Sequence, residues 1–136
     1  MKYTVLKFII LFSFNLLFFK DSVAQPGSID LTFYQSAFIN DVTNDLVILN
    51  DDKVILVGSF TSVNGTSKSR IAMLNSDGTI DSGFEPGSGA NLNLNTLGVE
   101  SNGNIIIGGN FTDYDGLYRQ NIARVNANGS SGTGLD

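Results

Sequence analysis

Adding 51 to a residue number lands on a matching residue again and again, without a gap, from residue 25 to the end of the chain. Gly27, Ile29, Asp30 and Phe33 map onto Gly78, Ile80, Asp81 and Phe84; Ile55, Gly58, Phe60, Thr61 and Gly65 map onto Ile106, Gly109, Phe111, Thr112 and Gly116. Ile71, Ala72, Asn75 and Gly78 map in turn onto Ile122, Ala123, Asn126 and Gly129. A period of this size restricts a chain to propellers, solenoids or arrays, because one unit cannot bury its apolar surface alone and must stack on its neighbours.

Within one period, short β-branched and apolar runs alternate with Gly, Asn and Asp clusters, which is the pattern of antiparallel strands. The expected strands are Leu46 to Leu49, Lys53 to Thr61, Arg70 to Asn75 and Thr79 to Phe84. Their counterparts are Leu94 to Val99, Asn104 to Thr112, Asn121 to Asn126 and a degraded Ser130 to Asp136. Asp51-Asp52, Asn102-Gly103, Asp77-Gly78 and Asn128-Gly129 sit between strands and suit turns with positive φ. Asn64-Gly65 and Asp115-Gly116 mark a longer link before the third strand. In the second strand Val54, Leu56, Gly58 and Phe60 share one face and Ile55, Val57 and Ser59 the other, so both faces begin apolar. A strand apolar on both sides belongs to a sheet sandwiched between neighbours. The expected fold class is therefore all-β, with about two antiparallel four-stranded blades of a β-propeller. Phe60 and Phe111, like Phe33 and Phe84, are its recurring packing residues.

The same residues resemble the delta-60 repeat family, whose pattern this chain carries twice. The first copy reads Asp52-Lys53-Val54-Ile55, Gly58-Ser59-Phe60-Thr61, Asn64-Gly65, Arg70-Ile71-Ala72-Met73-Leu74-Asn75 and Asp77-Gly78-Thr79-Ile80-Asp81 with Phe84. The second reads Gly103-Asn104-Ile105-Ile106, Gly108-Gly109-Asn110-Phe111-Thr112, Asp115-Gly116 and Ile122-Ala123-Arg124-Val125-Asn126. Asp52, Met73 and Asn104 depart from the family's Gly, Arg and Lys, and Ser131, Gly132 and Leu135 depart from its closing strand. The resemblance implies a β-propeller in secreted or cell-surface bacterial proteins, often of the Bacteroidota, with no general catalytic residues. Two blades leave the ring incomplete, since propellers use four to eight. The stop at Asp136 reads as truncation, or else several short chains share one ring.

Residues 1–24 have the parts of a secretory signal: Lys2 and Lys7, an apolar run from Phe8 to Phe19, and Ser22-Val23-Ala24 as a cleavage site. The run is broken by Asn15 and closed by Lys20-Asp21, too short for a stable membrane span. The expected organisation is a signal peptide over 1–24 and repeats over 25–136. Within the repeats, 25–33 is the last strand of a blade, and 42–84 and 93–136 are blades. Cleavage removes three positive charges and one negative, taking the net charge from −5 to −7. Such a balance disfavours nucleic acid, whose binding depends on Lys and Arg neutralising phosphates. With no Cys, His or Trp in the chain, disulfides, thiol nucleophiles, histidine bases and the common zinc ligands are excluded together.

Several groups invite a chemical reading. Asp113-Tyr114-Asp115-Gly116 has the opening spacing of a calcium loop, but its copy is Ser62-Val63-Asn64-Gly65 and the far-end Glu is missing. Asn75-Ser76-Asp77-Gly78 is read likewise as a turn. Asp30 and Asp81 could pair as acid and base, yet a carboxylate placed once per blade serves the blade, bonding backbone amides near the last turn. Lys68, Arg70, Arg119 and Arg124 are read as a solvated rim or as partners of the many Asp residues. Gly103 to Gly109 lacks the helix and the Lys-Ser/Thr pair of a phosphate loop, and the sequons at Asn64, Asn110 and Asn128 coincide with repeat turns and strand ends.

The expected function is a non-catalytic, exported repeat module, part of a longer surface or secreted protein, with no catalytic, cofactor or metal residues. Val63–Ser69 and Tyr114–Gln120 are its candidate binding loops. The expected partners are a protein or carbohydrate ligand, together with self-association through exposed blade faces. The alternative is the propeller portion of a secreted hydrolase, for example one acting on polysaccharide, with its active site outside this chain.

Overall fold

The computed structural model describes Phe33 and residues 37–132. These residues form ten short strands: β1 (Thr43–Ile48), β2 (Val54–Gly58), β3 (Ser62–Val63), β4 (Thr66–Ser67) and β5 (Ile71–Leu74), then β6 (Leu94–Val99), β7 (Ile105–Gly109), β8 (Asp113–Tyr114), β9 (Leu117–Tyr118) and β10 (Ile122–Val125). Two antiparallel three-stranded sheets, β1-β2-β5 and β6-β7-β10, are each accompanied by a two-stranded ribbon, β3-β4 and β8-β9. The 51-residue period is reproduced in the pairing itself. The bridge Ile39↔Val63 recurs as Ala90↔Tyr114, and Leu74↔Ile80 recurs as Val125↔Ser131. Even the register shift between Thr43 and Asp45 returns between Leu94 and Thr96. The ring is not closed by these two blades.

The second strand is shorter than the run Lys53 to Thr61 suggested, and its end has a local cause. Arg70 adopts φ 68°, its N–H donates to the Phe60 carbonyl (2.9 Å) and its carbonyl accepts the Gly58 N–H (3.0 Å), so the chain leaves the ladder after Gly58. Asn121 does the same in the second blade, at φ 65° between Phe111 and Gly109. At Gly58 a Cβ would run into the Val42 carbonyl, and at Gly109 into that of Asn93. Glycine at these two places lets the bulged first strand approach the second.

The expected fourth strands, Thr79 to Phe84 and Ser130 onward, are corrected to single bridging residues, Ile80 and Ser131. After Ile80 the Asp81 carboxylate accepts the Gly83 N–H (2.8 Å), which folds the chain into a turn and swings Phe84 into the core. Residues 28–32 and 133–136 of the expected outer strands lie outside the described residues. Phe33 is described, and its backbone is helical, not extended.

Packing follows the two apolar faces of β2. Ile55 and Val57 join Ile71 and Met73 in a core shared with the second blade, where Leu94, Leu97, Ile105, Ile107, Phe111 and Val125 meet them. Leu56, Phe60, Val63, Ala72 and Leu74 form a second cluster, flanked by Phe33. Phe84 packs with Ile107, Phe111, Tyr114, Ala123 and Val125, the residues 51 positions beyond that second cluster. Phe33 and Phe84 therefore each flank the equivalent cluster near a turn glycine, but through different atoms: a Cβ at Gly78 would meet the Phe33 backbone, and one at Gly129 the backbone of Glu85 and Pro86 and then the Phe84 ring. Phe60 and Phe111 are fully buried, each contributing about 1.5–3 kcal/mol of apolar burial.

Candidate interaction surface

Three Asn and Asp positions in register give each blade its internal polar frame. Asn40 Oδ1 accepts the N–H groups of Thr61 (3.0 Å) and Ser62 (2.9 Å), and Asn91 accepts those of Thr112 (3.0 Å) and Asp113 (3.1 Å). Asn75 Nδ2 donates to Thr79 Oγ1 (2.9 Å), and Asn126 to Ser130 Oγ (3.0 Å). Asp77 Oδ1 accepts both the N–H and the hydroxyl of Thr79, as Asn128 does from Ser130. Those two bonds hold the Asp77 carboxyl below its ordinary range. Sequence reasoning missed Asn40 and Asn91 as clamps, although they too stand 51 apart.

Asp81 binds Lys53 Nζ at 2.8 Å as well as the Gly83 N–H, and the ammonium group is the larger cause of its lowered pKa. Lys53 is raised in return. Asp81 is thus engaged in a turn and an ion pair, while Asp30 lies outside the described residues. Asp113 and Asp115 do not converge on a common point. Asp113 accepts from Thr112 Oγ1 (2.6 Å) and Asn91 Nδ2 (3.0 Å), whereas Asp115 accepts from the Ser88 N–H (3.1 Å). Among the described residues, no group of three or more acidic side chains is placed to hold a metal ion.

The four basic residues separate by role. Arg70 Nη1 donates to the Ala90 carbonyl (2.8 Å), tying the end of the first blade to the connector that follows it. Arg124 pairs with Glu100 at 3.0 Å, and Arg119 Nη1 donates to the Tyr118 carbonyl (2.9 Å). Lys68 lines an open groove of about 450 Å³ with Ser67, Ser69, Glu85, Pro86, Gly87 and Ser88. A second groove of about 360 Å³ adjoins it through Ser69 and Ser88 and reaches Asn91, Asp113 and Gly116. Both lie where the ribbon ends meet the connector between blades, and their polar lining is three serines, Lys68, Arg70, Asn91 and the carboxylates Glu85 and Asp113. That lining suits hydrogen bonding to a polar ligand.

The candidate loops Val63–Ser69 and Tyr114–Gln120 are ribbons, not irregular links. Asn64-Gly65 turns at φ 51° and 74° and Asp115-Gly116 at 50° and 74°, the geometry of a tight two-residue hairpin. Val63 and Tyr114 are buried and unavailable to a partner. Burial pushes the Tyr114 hydroxyl well above its ordinary pKa, and it donates to the Gly129 carbonyl at 2.9 Å. What the second ribbon presents outward is Leu117 and Tyr118, the latter 67 % exposed, with its hydroxyl bonded to Gln120 Oε1 (2.8 Å). Among the described residues no helix is long and apolar enough to cross a membrane; the expected signal segment lies outside them.

Comparison with curated proteins and with solved structures gives no match. The family model described as "Domain of unknown function (DUF5122) beta-propeller" matches residues 49–84 and 100–131, half of the chain. The two matched segments begin one period apart, each at the turn before a blade's second strand. The chain belongs to the DUF5122 β-propeller family.

Proposed function

We propose that the chain is a non-catalytic, exported module whose ribbons and adjoining grooves form an interaction surface carried on a rigid stack of blades, within a secreted or surface assembly. The observation that carries this reading is the division of labour between side chains. The recurring carboxylates and amides are engaged in turns and clamps, while Leu117, Tyr118 and the groove lined by Lys68, Glu85 and three serines stand outside that frame. A tyrosine on a rigid hairpin supplies contact area at low entropic cost, and hydroxyls with one Lys and one Glu suit a carbohydrate or a polar protein surface. The acidic balance of the chain turns it away from nucleic acid.

The test is expression from the complete coding sequence in a secreting bacterial host, followed by mass measurement and screening on glycan and extracellular-protein arrays. The expected result is a released chain starting at Gln25 that binds at least one arrayed ligand, with binding reduced at least tenfold in Tyr118→Ala. Retention in the cytoplasm, or turnover of a polysaccharide by the purified chain, contradicts the reading.

A further inference from the structure

Between the two blades, the end of the first ribbon and the connector that follows β5 wall two adjoining grooves that share Ser69 and Ser88. Arg70 lines one of them, on a backbone that does not call for arginine. It adopts φ 68°, and the equivalent residue of the second blade, Asn121, adopts φ 65°. Asparagine tolerates that left-handed conformation better than a long side chain does. The turn alone therefore favours Asn, and an arginine held there against its backbone preference is explained by its guanidinium. That guanidinium is short of acceptors: Nη1 donates to the Ala90 carbonyl at 2.8 Å, and Nε is buried with no partner.

The charges along the two grooves are balanced yet unpaired. Lys68 and Arg70 bring two cations, Glu85 and Asp113 two carboxylates. Among the described residues neither cation lies within ion-pair distance of a carboxylate; the ion pairs there are Lys53 with Asp51 and Asp81, and Arg124 with Glu100. The Glu85 carboxylate and the Ser67, Ser69 and Ser88 hydroxyls make no hydrogen bond among the described residues either. Asp113 uses Oδ2 alone, for Thr112 and Asn91. We propose that a neutral oligosaccharide lies along these grooves, its hydroxyls accepting from Lys68 and Arg70 and donating to Glu85 and Asp113. A hydroxyl is both donor and acceptor, so neighbouring hydroxyls of one sugar chain satisfy both signs. The balance of two positive and two negative side chains favours a ligand without net charge over a uronate, a sulfated glycan or an acidic peptide. This inference rests on the interaction surface proposed above and assigns it a ligand class.

The test is titration calorimetry on the full-length chain. Laminarin, mannan and xylan oligosaccharides serve as neutral probes, alginate and heparin oligosaccharides as acidic ones, and polyglutamate as an acidic peptide. At least one neutral probe is expected to bind, its affinity changing less than about twofold between ~50 and ~500 mM NaCl because there is no ligand charge to screen. Lys68→Ala, Glu85→Gln and Arg70→Asn are each expected to weaken that binding about tenfold, the loss of one charge-assisted hydrogen bond. The urea midpoints of Lys68→Ala and Glu85→Gln should not move, and Arg70→Asn keeps the turn because it copies the second blade. Binding of the acidic probes alone, with affinity falling steeply in salt, overturns the proposal. So does neutral binding that any one of the three substitutions leaves intact. Binding to none of the probes overturns it too; a protein ligand still held through Tyr118 would then keep the interaction surface itself standing.

Discussion

Asp45 in β1 accepts the main-chain N–H of Leu97 in β6 at 2.9 Å, joining the inner strands of adjacent blades through one carboxylate. The same Oδ2 receives the Thr96 hydroxyl at 3.0 Å, and Asn44 donates to the Leu94 carbonyl at 2.7 Å beside it. The first repeat thus holds the second by polar contacts where their strands come together, in addition to the apolar core behind them.

This arrangement sets the acid sensitivity of the fold. The bond to Leu97, then that to Thr96, holds the Asp45 carboxyl below its ordinary range, and Asp77 and Asp81 are lowered by their own donors. A carboxyl lowered in the folded state contributes stability above its unfolded pKa of about 3.9, and that contribution is lost as pH falls through the folded value. Urea unfolding is expected to show a plateau near neutrality and a decline below about pH 4. Asp45→Ala should cost about 1–2 kcal/mol at pH 7 and show a shallower acid decline. Equal slopes in the two proteins would contradict the assignment.

Phe60 and Phe111 are both fully buried at equivalent positions, so truncation should be felt alike in both blades. Phe60→Ala and Phe111→Ala are each expected to cost about 3–5 kcal/mol by loss of burial plus a residual cavity. Chemical denaturation checks this. A large loss at one site with none at the other would mean that the repeats do not share a packing scheme.

Asp52 adopts φ 62° where the second blade has Gly103 at φ 87°. A left-handed conformation is unfavourable for a residue with a Cβ, by roughly 1–2 kcal/mol, and aspartate is among the more tolerant residues there. Asp52→Gly is therefore expected to raise stability by up to about 1 kcal/mol, read as an upward shift in the urea midpoint. Gly103→Asp should lower stability by a similar amount; shifts in the opposite directions would contradict the turn geometry.

Much of the fold is legible in the sequence because the period places each residue in two contexts that must agree. The sandwiching of β2 follows from its two apolar faces, and the boundaries Leu94–Val99 are those expected. Where sequence reasoning fell short, a side-chain hydrogen bond had displaced the backbone pattern. Asp81, by bonding Gly83, ends the strand expected from Thr79 and Ile80. Arg70 and Asn121 carry positive φ without any glycine to mark it. The ribbons were hidden for a different reason: Asn64-Gly65 and Asp115-Gly116 are hairpin signals, but strands of two residues leave no alternation to read. The outward display of Tyr118 and the burial of Tyr114, four residues earlier, depend on pairing across that ribbon and are not visible in composition.

The most direct test of a repeated blade is amide hydrogen exchange, followed by mass spectrometry, on the full-length chain. Equivalent strands should protect equivalently. The expected result is slow exchange over 54–58 and 105–109 and over 71–74 and 122–125, with the Leu97 amide protected in the wild type and exposed in Asp45→Ala. Protection confined to one of the two repeats, or a Leu97 amide indifferent to Asp45, would contradict the account.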